Sequence, residues 1–262
     1  MALSQNDVAK HFRSLHKPGD PIILTNAYDA STASVIASLP QTRAIATASY
    51  AIAGSIGVTD DDLGKDRNLA ALKMIMTAAH SVNPDLPVTI DFQDGYGEDL
   101  PSLAAAIKEA IAVGAVGCNL EDMNAATHII RPVDEAAARV RTVVEAAKEA
   151  GVPDFVVNAR TDVLFQEGGT FDDMIARGKA YLEAGACTVY VWGGPWGRGL
   201  SGEELKTLVR ELGGRINVKL NLTEGALGIQ EIRQLGVARV SLGPELWMCA
   251  MKAVKELAES IV

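Results

Sequence analysis

The chain is poor in the residues that mark secreted, membrane-bound or nucleic-acid-binding proteins. It holds three cysteines, Cys118, Cys187 and Cys249, an odd count with no close spacing. No disulfide framework or clustered thiolate site fits that count, and reduced thiols in a cytosol-like compartment do. Each thiol sits in an apolar stretch and reads as small core filler. Basic residues are outnumbered, 24 Lys and Arg against 33 Asp and Glu, for a formal net charge of −9. No basic stripe offsets this, so no nucleic-acid partner is expected. Met1 to Lys17 lacks an apolar signal core, and no apolar run reaches membrane-spanning length, so a soluble, cytoplasmic protein without a membrane partner is expected. Nucleotide and hydrolase fingerprints are missing too. No GxGxxG opens a helix after a first strand, no Gly-Lys-Ser/Thr follows the glycine-rich run Gly193 to Gly199, and there is no GxSxG elbow.

What the chain does have is one design used repeatedly. Its clearest copy is Val88-Thr89-Ile90-Asp91-Phe92-Gln93-Asp94-Gly95-Tyr96-Gly97. An apolar, β-branched run ends in acids and glycines, as a buried strand does when its tip opens into a polar site. On a strand, Asp91 and Gln93 would share a face. Seven further runs follow the pattern: Pro21–Asp29, Ala44–Ser49, Ala115–Asp122, Asp154–Asp162, Thr188–Trp192, Ile216–Asn221 and Arg239–Gly243. Helical segments separate them, several with legible ends. Thr170 with Asp173 and Ser201 with Glu204 read as capping boxes, and Gly151 suits the position after a helix. A helix is expected from Asp61 to about His80, after a long loop from Tyr50 to Asp61.

Eight short strands alternating with helices predict an α/β fold with a parallel sheet, read as one (β/α)8 TIM-type barrel over residues 1–262. A doubly wound sheet is the alternative. A barrel would gather the polar tips Asn26, Asp29, Ser49, Asp91, Gln93, Glu121, Arg160, Asp162 and Asn221 into one site at the C-terminal ends of its strands.

Asp91 and Glu121, from successive tips, suit a hard divalent cation such as Mg²⁺; barrel-top salt bridges or helix caps would use the same residues. Arg160 could clamp a carboxylate or phosphoryl group in bidentate fashion, or pair structurally with Asp162 or Glu121. Ser49 and Tyr50 could offer backbone N–H groups to an anion or be ordinary turn residues. Of the four histidines, His11, His16 and His80 read as surface residues. His128 could reach over the site from the loop after the fourth strand, or stand in solvent. The run Trp192 to Gly199 could bind phosphate through its backbone, or form a turn that presents Trp196 as a lid or subunit contact.

Six stretches, each at a strand tip, carry a resemblance: Asn26 to Asp29, Thr47 through Gly57 to Asp60, Asp91 to Gly97, Gly117 to Asp122, Asn158 to Asp162, and Leu235 to Pro244. Together they resemble the isocitrate lyase / phosphoenolpyruvate mutase superfamily, and above all its small phosphonomutase-like members, over nearly the whole chain. The resemblance implies a barrel whose last helix is exchanged between subunits of a homodimer or homotetramer. It implies a small-molecule carboxylate substrate and Mg²⁺ near Asp91 and Glu121, with Asp60 acting through water. It gives Arg160 and the Ser49–Tyr50 loop to the substrate. Asn221, at the seventh tip, is grouped with them as a substrate-binding candidate.

The sequence departs from that pattern twice. Gln93 replaces the usual second acid; it joins Asp91 and Glu121 in the expected metal set, but as a neutral amide suited to orienting a metal-bound water. The loop Met123 to Arg131 has neither the Lys-Lys-Cys-Gly-His type motif of the lyases nor the lysine of the mutase. Asn124 could stand in for the mutase asparagine, and Cys118 is a poor substitute for the lyase thiol. Asp60, Tyr28 and His128 remain as candidates to move a proton. The expected activity is Mg²⁺-assisted C–C cleavage of a small 2-oxo or 2-hydroxy (di)carboxylate through an enolate. Phosphonomutase-type phosphoryl transfer and a non-catalytic, dicarboxylate-binding barrel are the alternatives.

Overall fold

The computed structural model describes residues 3–194 and 198–262. Trp196 lies outside that range. Eight strands form a closed, wholly parallel barrel in sequence order, so the doubly wound alternative falls away. They are β1 Ile22–Ala27, β2 Ile45–Thr47, β3 Val88–Asp91, β4 Gly117–Glu121, β5 Val156–Thr161, β6 Thr188–Val191, β7 Ile216–Lys219 and β8 Arg239–Ser241. Closure runs through β8 and β1, with Ile22 opposite Arg239 and Leu24 opposite Ser241.

Helices cover the outside: α1 Gln5–Ser14, α2 Ala30–Ala37, α3 Ser49–Ser55, α4 Lys65–Val82, α5 Leu100–Val113, α6 Val133–Glu149, α7 Phe171–Glu183, α8 Gly202–Leu212, α9 Ile229–Leu235 and α10 Glu245–Ile261. The capping boxes expected at Thr170 and Ser201 are formed. Two other boundaries differ from expectation. The first half of the expected loop is α3, because Ala51, Ile52 and Ala53 form a buried face. α4 begins at Lys65 instead of Asp61; Asp62 closes a turn with Thr59, and Gly64 at φ +66° turns the chain into the helix.

Strand alternation fills the barrel bore with polar groups as well as apolar ones. Asn158 donates to Asn119 Oδ1 at 2.7 Å, Thr188 Oγ1 donates to Asn158 Oδ1 at 2.6 Å, and Asn217 donates to Ser241 Oγ at 3.1 Å. The buried Arg239 donates to Asn119 Oδ1 at 3.2 Å. α1 packs near the start of the strands, where Gly117 leaves room for the ring of Phe12. His16, expected at the surface, is half-buried: its ring meets Phe12 edge-on at 4.7 Å, and burial together with the Arg239 charge lowers its pKa to about 3. Cys118 and Cys187 are buried as read, but Cys249 is exposed on α10.

No residue of α10 is buried. Met248, Met251, Val254, Leu257 and Ile261 are all exposed. The helix is tied to the barrel at its base, where Trp247 packs on Gly54 and meets Tyr50 edge-on at 6.0 Å. Among the described residues, no helix is long and apolar enough to cross a membrane.

Candidate active site

The tips of β2 to β7 converge on a cluster of acids around one guanidinium. Arg160, on β5, donates from Nε to Asp162 Oδ1 and from Nη1 to Glu121 Oε1, both at 2.8 Å. Its Cζ lies 4.6 Å from the Trp192 ring centroid and 5.5 Å from that of Tyr190. The side chain keeps 18% of its surface exposed, so the stacked, paired guanidinium still faces the opening. Clamp and structural pair are therefore not exclusive: the pair uses Nε and Nη1, and Nη2 has no hydrogen-bond partner among the described residues.

Asp91 is held from both sides. Its Oδ2 accepts from the Ser49 backbone N–H and hydroxyl, each at 3.1 Å, and its Oδ1 accepts from Asn119 at 3.2 Å. The Ser49 N–H expected to meet a substrate anion therefore serves Asp91. Gln93 falls beyond the end of β3, at φ +47°, so it does not share a strand face with Asp91. Its amide instead donates to Asp60 twice, to the backbone oxygen at 2.9 Å and to Oδ1 at 3.0 Å. Hydrogen bonds join Asp91 to Ser49, Gln93 to Asp60 and Glu121 to Arg160, and charge effects couple these pairs to one another.

Crowding of carboxylates sets the electrostatics. Burial, reinforced by the charge of Asp91, raises Asp60 to about 6. Glu121 is raised well above the usual range by burial, against the pull of Arg160. Asp162, fully buried, is pushed to about 6 chiefly by burial, and its Oδ2 has no partner. Burial alone would lower Arg160, but Asp162 and Glu121 hold it well above its ordinary value.

Among the described residues, the other expected site residues make no side-chain hydrogen bond or ion pair with this cluster. Asp29 is the N-cap of α2, and Asn26 ties strand tips together through Thr47, Leu242 and Gly243. Tyr28 is buried, and burial raises its phenol, which keeps it a proton donor. Tyr50 is 53% exposed and packs on Trp247. His128 is a surface residue whose Nε2 lies 3.6 Å from Asp61. Asn124 accepts the N–H groups of Ala126 and Thr127 and so shapes its own loop. Asn221 is half-buried, two residues past β7. Burial pushes the Cys118 thiol up, away from acid–base use near neutral pH.

The stacking role of Trp192, which reads only as part of a glycine-rich loop, and the presence of Lys219 at the site escape a reading of the sequence alone. Trp192 forms the surface on which Arg160 stacks. Lys219 ends β7 and lies 5.9 Å from the same ring. The alternation Asn217, Lys219 on an otherwise apolar strand carries the signal, as a lone charge does for Arg160.

Among the described residues, no three His, Cys, Asp or Glu side chains come together as ready metal ligands. The donor chemistry is nonetheless that of a hard cation site: carboxylates that raise one another's pKa, with the partnerless oxygen of Asp162 nearby. Such a set suits an ion that keeps several waters between itself and the protein.

The phosphoenolpyruvate phosphomutase family profile matches residues 12–262. The chain belongs to that family. A candidate phosphonomutase from Burkholderia cenocepacia superposes with a TM-score of 0.86 at 36% identity, covering 99% of this chain and 100% of that one. An uncharacterised protein of Mycobacterium tuberculosis is 29% identical over 95% of this chain and 88% of its own length. The 2-methylisocitrate lyase of Escherichia coli is 30% identical over 70% of this chain and 62% of the lyase. Relatives matched at 26–30% identity include lyases of 2-methylisocitrate and 2,3-dimethylmalate and a carboxyvinyl-carboxyphosphonate phosphorylmutase, enzymes that act on small carboxylates.

Proposed function

We propose that the protein is a Mg²⁺-assisted lyase that cleaves a C–C bond of a small 2-hydroxy or 2-oxo carboxylate, with an enolate as the leaving fragment. The observation that carries this reading is Arg160, a guanidinium stacked on Trp192 and set among Asp60, Asp91, Glu121 and Asp162. A cation fixed beside a cation-binding acid cluster is suited to a substrate that is itself a chelating anion. Asp91 and Glu121 would hold Mg²⁺, with Gln93 and Asp60 reaching it through water. The ion would supply positive charge where the enolate oxygen becomes negative.

The chain's own residues do the rest. Arg160 binds and orients the carboxylate in bidentate fashion. The first turn of α3 offers the Tyr50 N–H, since Ser49 is committed to Asp91. Asp60, poised near 6, accepts the substrate hydroxyl proton on its carboxylate when ionised. Gln93 fixes that carboxylate through its paired hydrogen bonds.

Calorimetric titration with oxalate, a planar mimic of the pyruvate enolate, tests this reading. Binding that requires Mg²⁺ and vanishes with EDTA supports it, and turnover of a 2-hydroxy acid to two carbonyl-containing fragments completes it. Absence of binding under both conditions refutes it. The full-length match to a candidate phosphonomutase favours a second reading, phosphoryl transfer between carbon and oxygen. A phosphonate product seen by phosphorus NMR would establish that instead.

We also propose a homodimer or homotetramer in the cytoplasm. The unburied apolar side chains along α10 support exchange of this helix between subunits. Light scattering of Leu257→Glu should then show a smaller particle than the wild type.

A further inference from the structure

Lys219 is a second cation of the site, and it has one carboxylate partner on another element. Its Nζ stands 2.5 Å from Glu245 Oε1, at the first residue of α10. The two side chains are 23% and 18% exposed, so the pair is neither sealed in the core nor freely solvated. Both Lys219 and Arg160 lie within 6 Å of the Trp192 ring centroid. Gly243, at φ +65°, lies beside the lysine stem: a Cβ there would stand 3.5 Å from its Cε, in ordinary contact.

Two cations against one aromatic ring define a surface with an anion-binding group at two places and an apolar patch between. Arg160 is bound by two acids, whereas Lys219 has one, Glu245, among the described residues. A ligand carboxylate can replace Glu245 without leaving the ammonium unpaired, which makes the exchange inexpensive compared with breaking the pair outright. Glu245, at the start of a helix that is otherwise exposed, retains access to water once displaced.

We propose that Lys219 is a specificity-determining residue: its ammonium takes a second, distal carboxylate of the substrate, and Glu245 is the internal anion that competes for it. This rests on the carboxylate site proposed above. A strut that merely fixes the start of α10 would use the same pair, but the two roles differ in sign for Glu245. If Glu245 competes with the ligand, removing its charge strengthens binding of a dianion. If the pair is only a strut, removing either partner weakens everything alike.

The test is calorimetric binding of malate and lactate, in the presence of Mg²⁺, to the wild type, Lys219→Met and Glu245→Gln. Both acids carry the 2-hydroxy carboxylate and only malate carries the distal one. The wild type is expected to favour malate by about tenfold or more, the scale of one hydrogen bond to a charged group. Lys219→Met should bring the malate-to-lactate affinity ratio close to one. Glu245→Gln should enlarge it. Taking the malate-to-lactate ratio within each variant cancels any loss of folded protein. A ratio that survives Lys219→Met, or that falls in both variants, overturns the assignment of Lys219. A wild type that binds lactate but does not favour malate overturns it as well and leaves the proposed carboxylate site standing. A wild type that binds neither acid overturns both.

Discussion

Replacing Arg160 with methionine separates its role as a clamp from its role as a counter-ion. Removing one partner of a buried ion pair ordinarily costs about 3–5 kcal/mol. Here the cost is capped, because the acids can take up protons. Asp162 is already raised to about 6 with Arg160 beside it, from an ordinary value of 3.8. Without that charge it rises further. A carboxyl whose folded pKa exceeds its unfolded one loses stability as pH climbs from the unfolded value to the folded one, and is then level. In the wild type the Asp162 contribution is therefore flat above about pH 6. In Arg160→Met it should keep falling above pH 6, by about 1.4 kcal/mol for each pH unit up to the new pKa. Urea denaturation at pH 6, 7 and 8 reads this directly: the variant should lie closest to the wild type at pH 6 and furthest at pH 8. Adding Asp162→Asn should remove the Asp162 share of that slope and leave that of Glu121, the other partner of Arg160. Parallel pH profiles for wild type and Arg160→Met would refute the claim that Arg160 keeps Asp162 ionised.

The same electrostatics governs His16, Asp60 and Gln93. His16, lowered to about 3 by burial and Arg239, should withdraw stability as pH falls below 6.5. By pH 5 that amounts to about 2 kcal/mol, and His16→Leu should flatten this part of the acid limb in a denaturation series. If Asp60 is the proton acceptor, kcat/KM on a turned-over 2-hydroxy acid should fall below about pH 6, and Asp60→Asn should be inactive across the range. Gln93→Asp trades two hydrogen bonds to Asp60 for a third acid. Mg²⁺ should then bind more tightly by calorimetry, while the metal-free protein loses about 1–3 kcal/mol.

The barrel is legible in the sequence because its signals are local. Apolar runs of strand length, glycines after helices and capping boxes at Thr170 and Ser201 each act within a few residues, and the strand-and-helix unit repeats eight times. The acids at the tips are legible for the same reason: a charge that ends an apolar strand must meet either water or a partner, and the strand's tip is where both are found. What stays hidden are pairings between distant tips. Nothing near Gln93 says that its amide will serve Asp60, because that contact depends on a left-handed turn after β3 and on the fold of the long connection. His16 reads as a surface residue since only the closed barrel brings Arg239 close to it. α3 hides within an expected loop because seven small and apolar residues carry little helical periodicity of their own.

The bore of the barrel adds a reason why the site keeps its shape with so few motif residues. Barrel interiors are ordinarily layered with branched aliphatic side chains. Here Arg239, Asn119 and Asp91 form a polar column, with Asn158 bonded to its middle and Thr188 to Asn158 in turn. Asn119 accepts from Arg239 and donates to Asp91, so its amide orientation is fixed by two neighbours of opposite demand. Asp91 then has one oxygen held by the column and the other by Ser49. Its carboxylate plane is set by Asn119 on one side and Ser49 on the other. Replacing Asn119 by leucine would remove the link while keeping the bulk of the side chain. It would leave Asp91 free to rotate toward Asp60, whose pKa its charge already raises. The position of the acid is therefore built from inside the barrel, at positions that look like core in the sequence.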